Sequence, residues 1–170
     1  MNKDSNKWFS SVQEDKVAAY LGWRVVAGSG AFAATPGDIE GDEWLGECKT
    51  HRSNSSSIYF ARDVWEKIKQ EAQSKRKYPA LFTDDGSRNY NSTWCLCLSH
   101  SVDTTGMHIK PYTKAIRTNV SFSHPEFIEC IRHEKRALPE AERIKPFAYS
   151  CKWGEDDVLI MPLEDFQRSL

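Results

Sequence analysis

The sequence predicts a mixed α/β domain with a central β-sheet flanked by helices. Between residues 58 and 77, the apolar residues Ile58, Ala61, Val64, Trp65, Ile68 and Ala72 recur at spacings of three and four, with charge on the other face, the signature of an amphipathic helix. The short runs PALF, TWCLCLS and DVLIMP are rich in β-forming apolar residues and are bounded by turn formers. Helical and extended segments alternate along the chain, which favours sheet and helices packed in layers. At 170 residues the chain has the usual size of one domain and is long enough to bury its own core.

Taken in order, Trp8 to Leu21 reads as a helix with Phe9, Val12, Val17, Ala18 and Leu21 on its apolar stripe and Gly22 as its stop. WRVVAGSG follows as a short strand ending in a glycine turn, then PGDIEGD and EWLGECKT as two strands joined by a turn at Gly41-Asp42. A Ser/Asn-rich loop from Ser53 to Ser57 precedes the long helix, which is expected to run from Ile58 to Lys77 and to end before Pro79. ALFTDD and STWCLCLS read as a hairpin around DDGSRNYN, Pro125 to Ala137 as a helix, and DVLIMPLEDF as a last strand with a short helix or turn. The order is α-β-β-β-α-β-β, an insertion, then β-α: one domain over residues 1–170, with a core at about 8–99 and 156–167 and an insertion at about 100–153, after the fifth strand.

A hydrophobic fraction of 39% and six Trp exclude a disordered chain, and no run approaches the ~18 apolar residues of a membrane span. The polar start MNKDSNKWFSS has no apolar secretory stretch, so the expected setting is the inside of a cell and the five cysteines are expected to be reduced. Cys95-x-Cys97 reads as alternate residues on one strand face rather than as half of a zinc site, and His100, His108, His124 and His133 have no ligand spacing. The net charge is −1, so nucleic-acid binding would need a local basic face or metal ions that offset acidic groups.

The chemistry is concentrated in PGDIEGDEWLGECKT. Strand alternation puts Glu47 and Lys49 on one face and Cys48 on the other, and a hairpin through Gly41-Asp42 brings Asp38 close to Glu47. Two adjacent carboxylates repel unless a cation lies between them, and Mg²⁺ takes such hard oxygen ligands while keeping water in its other positions. Mn²⁺ is expected to substitute, and the Cys48 carbonyl is a further candidate ligand. Lys49 is an ammonium placed to orient an attacking water or to stabilise charge on a phosphoryl oxygen. Glu40, Asp42 and Glu43 are read as solvated turn residues, Trp65 as core, and Lys67, Lys69, Lys75, Arg76 and Lys77 as a solvated helix face that could also track phosphates.

The pattern Asp38…Glu47-x-Lys49, preceded by a Glu-bearing helix, resembles the PD-(D/E)XK nuclease superfamily. The layout from Trp8 to Ser99 is similar to archaeal-type Holliday junction resolvases and their phage relatives. That resemblance implies a restriction-endonuclease-like core and a magnesium-dependent endodeoxyribonuclease acting on branched DNA as a homodimer, in the cytoplasm of a host cell and away from membranes. By the same resemblance Glu14 completes the metal site directly or through water, Ser29 lies in a loop near the scissile phosphate, and His51 and Arg52 contact the DNA backbone. Two departures stand out: Gly37 separates Pro36 from Asp38, and the chain is neutral and longer than those resolvases. A restriction-type or end-processing nuclease is the competing enzymatic reading, and a non-catalytic nucleic-acid-binding domain the competing binding one.

Overall fold

A computed structural model describes residues 6–27, 35–51, 55–87, 90–116 and 118–170. Helix α1 (Asn6–Leu21) stops at Gly22, whose φ of +71° closes the last turn with Trp23 N donating to Ala18 O at 2.9 Å. Strands β1 (Arg24–Val25) and β2 (Ile39–Glu40) are short, and β3 (Trp44–Lys49) follows β2 through the Gly41 turn. Strand β4 (Ser57–Phe60), helix α2 (Arg62–Ser74) and strands β5 (Tyr78–Thr83) and β6 (Trp94–Leu98) come next. The second half of the chain supplies β7 (His108–Pro111), β8 (Val120–Ser123), α3 (His124–Ala137), β9 (Phe147–Trp153), β10 (Asp156–Pro162) and α4 (Leu163–Arg168).

Among the described residues, eight strands form one mixed sheet in the order β1-β2-β3-β5-β6-β10-β9-β7, while β4 and β8 form a separate ribbon. The β3/β5 and β7/β9 pairs are parallel and the others antiparallel. The expected α/β class with a central mixed sheet is therefore present. The segment between β6 and β10 does more than decorate that sheet, because β9 and β7 extend it at the far edge.

Two apolar layers sandwich the sheet. On one face Val17 and Ala18 of α1 and Phe166 of α4 pack with Cys48, Phe82, Cys95, Cys97 and Met161. On the other, Trp65, Ile68 and Ala72 of α2 and Phe127 of α3 pack with Leu45, Leu81, Leu96 and Ile160, and the β4/β8 ribbon closes this side through Ile58, Phe60, Val120 and Phe122. Consecutive β5 residues divide between the layers (Ala80 and Phe82 on one, Leu81 on the other), the alternation that a doubly covered strand requires. Cys95 and Cys97 lie fully buried on the same face, as free thiols.

The stretch from Ile58 to Lys77 is not one helix. Ile58 and Phe60 are fully buried while Tyr59 is exposed, a period of two, and β4 pairs with β8 before α2 begins at Arg62. The helix start is completed from a distance, by Arg62 N donating to Asn119 Oδ1 at 2.9 Å. Pro79 does not follow a helix end but lies inside β5. Because it precedes the first β5/β6 partner pair, Ala80 with Cys97, its missing N–H leaves no gap in that ladder.

Candidate active site

The β2/β3 register pairs Ile39 with Gly46 and Glu40 with Leu45, and Asp38 and Glu47 lie just beyond the Ile39/Gly46 pair, near enough for the Glu47 charge to act on Asp38. Asp38 then leaves the ladder but replaces it with its side chain: Cys48 N donates to Asp38 Oδ2 at 2.8 Å, and Asp38 N donates to Gly46 O at 2.8 Å. Val26 N donates to Asp38 O at 2.8 Å, which fixes the residue from the other side. The residue between Pro36 and Asp38 has a structural reason to be glycine. Gly37 has a φ of +70°, and a Cβ there would lie 2.7 Å from Leu45 side-chain carbons.

Glu47 is 3% exposed, and Lys49 Nζ donates to its Oε1 at 2.6 Å. The strand alternation expected for Glu47, Cys48 and Lys49 is thus present, with Cys48 packed in the α1-side layer. Both residues stand at the carboxyl end of β3, beside the carboxyl end of its parallel neighbour β5, which is where open α/β sheets gather ligands. That end is held by buried polar groups. Gln13 Nε2 donates to Lys49 O at 2.7 Å, Asp84 N donates to the same oxygen at 3.3 Å, and Thr50 Oγ1 donates to Asp84 Oδ1 at 2.6 Å. Burial pushes the Asp84 carboxyl above its ordinary pKa, while the Thr50 and Gly86 hydrogen bonds oppose it.

The electrostatics are those of crowded carboxylates. Burial, and then the Glu47 charge, raise the Asp38 pKa, against the Cys48 backbone hydrogen bond and the Lys49 and Lys67 ammoniums. Glu14, on α1, is raised to about 7 by burial and by the charges of Asp38, Asp15 and Glu47. Burial acts to lower the Lys49 pKa, but the Glu47 charge and hydrogen bond and the Asp38 charge outweigh it and hold it above its ordinary value. Lys49 is therefore an ammonium, suited to stabilising negative charge and not to accepting a proton.

No group of three or more His, Cys, Asp or Glu side chains is preassembled as a metal cage among the described residues. The donor set fits Mg²⁺ or Mn²⁺ on its chemistry: Asp38 and Glu47 are hard carboxylates close enough for their charges to interact, and Glu14 shares their field. Such ions need only one or two protein carboxylates because they retain water. A cation there would relieve the repulsion that raises Asp38 and Glu14.

Of the other residues expected at the site, His51 lies two residues beyond β3 and is half-buried, and Ser29 and Arg52 lie outside the described residues. Glu40 is not a solvated turn residue. It is 8% exposed, with Lys77 Nζ at 3.0 Å, Lys75 Nζ at 3.6 Å and Arg24 Nη2 at 2.6 Å. Those pairings, and that of Lys69 with Asp156 at 2.7 Å, engage three of the five basic residues at 67–77 within the fold. Sequence reasoning missed Gln13, Glu71 and Asp84. Gln13 alone left a local signal, as a polar residue one turn from Val17 on the inward stripe of α1. No protein-family model matches the chain, and no curated protein or solved structure does.

The raised Glu14 carboxyl has a consequence for stability. With a folded pKa of about 7 against an ordinary 4.5, its contribution is complete below pH 4.5 and is lost as pH rises through 7. Discounted for its partial exposure, the loss is about 1–2 kcal/mol. In metal-free buffer, Glu14→Gln is therefore expected to gain stability over the parent protein between pH 5 and 8. Thermal unfolding at the two pH values checks this, and an equal difference at both would contradict it.

Proposed function

We propose that the protein is a metal-dependent DNA endonuclease of the PD-(D/E)XK type, with a restriction-endonuclease-like core. The observation that carries this reading is the closeness of the Asp38 and Glu47 carboxylates at the end of the β2/β3 hairpin, with Asp38 bonded to Cys48 N and the Lys49 ammonium on Glu47. The fold supports it through the order α1-β1-β2-β3-β4-α2-β5, in which three antiparallel strands are followed, after the β4 ribbon strand, by a helical crossover to a strand parallel to β3.

Asp38 and Glu47, with Glu14 directly or through water and the Cys48 carbonyl, would hold Mg²⁺. When bound, the ion supplies Lewis acidity to a phosphoryl oxygen and lowers the pKa of a coordinated water. Lys49 holds its positive charge beside that position and stabilises the negative charge that develops on phosphorus-bound oxygen. Asp38 is kept in place by three backbone hydrogen bonds, so little reorganisation accompanies reaction. Ser29, His51 and Arg52 are the proposed contacts to the DNA backbone.

For the substrate we put branched DNA first, resolved by a homodimer whose two-fold axis places one centre on each strand. This follows the layout of the sequence from Trp8 to Ser99. The test is cleavage of a four-way junction, a flap, a linear duplex and a single strand, in Mg²⁺ and in EDTA. Paired nicks confined to the junction are expected. Metal-dependent cutting of the other substrates would retain the nuclease but make it a restriction-type or end-processing enzyme. Binding without cutting would make the protein a non-catalytic nucleic-acid-binding domain.

A further inference from the structure

Helix α2 brings a second ammonium to the carboxylates. Lys67 Nζ lies 3.6 Å from Glu47 Oε1 and also 3.6 Å from Glu71 Oε1, one helical turn on, and 57% of its side chain is exposed. Glu71 is anchored, since its Oε2 accepts from Gly37 N at 3.0 Å, next to Asp38. Glu47, by contrast, is almost wholly enclosed and already bears Lys49 at 2.6 Å. Lys67 thus stands midway between a carboxylate of the proposed metal site and a fixed carboxylate outside it.

We propose that Lys67 is a displaceable counter-cation of the site, shared between Glu47 and Glu71, which yields Glu47 to an incoming divalent cation and shifts onto Glu71. The inference rests on the metal-site reading above. The physical basis is charge balance. Without a divalent ion, the Asp38 and Glu47 carboxylates lie close together, and the ammoniums of Lys49 and Lys67, at 2.6 and 3.6 Å from Glu47 Oε1, supply the positive charge beside them. Once a divalent ion occupies those oxygens, the Lys67 ammonium, 3.6 Å from Glu47 Oε1, is repelled by it. The long, mostly solvated Lys67 stem lets Nζ move, and Glu71 is already in reach to receive it. Lys49, held by a short hydrogen bond on a half-exposed stem with no second carboxylate in ion-pair reach among the described residues, stays with Glu47. Glu71 is a positioning residue in two ways, since its other oxygen holds the Gly37 corner that presents Asp38.

Opposite effects of two substitutions on the same helix test this. Lys67→Met removes the competing cation and is expected to tighten binding of Mg²⁺ or Mn²⁺ about two- to fivefold, the range of an exposed ion pair. Glu71→Gln keeps an acceptor for Gly37 N but removes the charge that receives Lys67, and is expected to weaken metal binding by a similar factor. In the double variant the Glu71 effect should vanish, because no ammonium remains to be received. The readout is the thermal midpoint of the protein titrated with each metal alone, without DNA. Lys67→Gln is a second variant should Lys67→Met unfold. If the parent protein responds to metal but Lys67→Met binds it equally or more weakly, the counter-cation role is overturned and the nuclease reading stands. A Glu71→Gln effect that persists in the Lys67→Met background also overturns it. If the parent protein responds to neither metal, the metal site itself falls, and this inference with it.

Discussion

Asp38→Asn is expected to fold normally, to lose metal-induced stabilisation, and to cut DNA about 10²–10³-fold more slowly, the scale set by removing one electrostatic group from a reacting centre. The substitution separates the two tasks of Asp38. An Asn oxygen can still accept from Cys48 N, and the backbone bonds to Gly46 O and Val26 N are untouched, so the end of the β2/β3 hairpin should hold. What disappears is a negative charge opposed to Glu47, and with it half of the carboxylate pair that fits a divalent ion. The metal-free variant should be no less stable than the parent and can be slightly more so, because the repulsion that raises the Asp38 pKa is gone. Thermal midpoints with and without Mg²⁺, alongside initial cutting rates, check both halves of the expectation. A variant that kept its metal response would remove Asp38 from the site.

Trp65→Ala is expected to cost about 3–5 kcal/mol of folding stability, the range for truncating a buried aromatic side chain. Trp65 is fully buried on α2 in the core layer that also holds Leu45, Ile68, Leu81 and Ile160, so its removal leaves a void in that layer. Its indole Nε1 also donates to Asp156 Oδ2 at 2.9 Å, on an oxygen that Lys69 Nζ reaches at 2.7 Å. Asp156 keeps Lys69 in the variant, so the loss is one of packing more than of charge. In a domain of this size the thermal midpoint should drop by about 10 °C. Because α2 also carries Lys67 and Glu71, the truncation should loosen the site as well as the fold, and a weaker metal response would accompany the lower midpoint. A drop of only a degree or two would mean that α2 is not held by this residue.

How much of this was legible in the sequence depends on how far apart the partners lie. Elements set by local periodicity came through: α1 with its Gly22 stop, the Gly41 turn into β3, the face shared by Cys95 and Cys97, and the pairing of β5 with β6. So did the placement of Glu47 and Lys49 on one side of a strand, which needs no more than alternation. Ile58 to Phe60 misled because Ile58 and Ala61 fall in phase with the Val64, Trp65, Ile68 stripe, and the β8 partner that makes the segment a strand arrives 60 residues later. The α2 cap from Asn119 is just as remote. The supports of the site belong to the same class. Gln13 reaches Lys49 across 36 positions and Glu71 reaches Gly37 across 34, and both look like ordinary helix residues until the sheet is assembled. Glu40 was misplaced for a related reason, since its burial depends on Arg24, Lys75 and Lys77 converging on it from two sides.

The central claim is that Asp38, Glu47 and Lys49 form a metal-dependent hydrolytic centre, and it is tested most directly by the rate of DNA cutting against Mg²⁺ concentration in the parent protein and in Lys49→Ala. The expected result is cutting that is absent in EDTA, rises with Mg²⁺ in the parent, and falls about 10²–10³-fold in the variant while its metal-induced thermal shift persists. Cutting that survives EDTA, or that Lys49→Ala leaves unchanged, would contradict it.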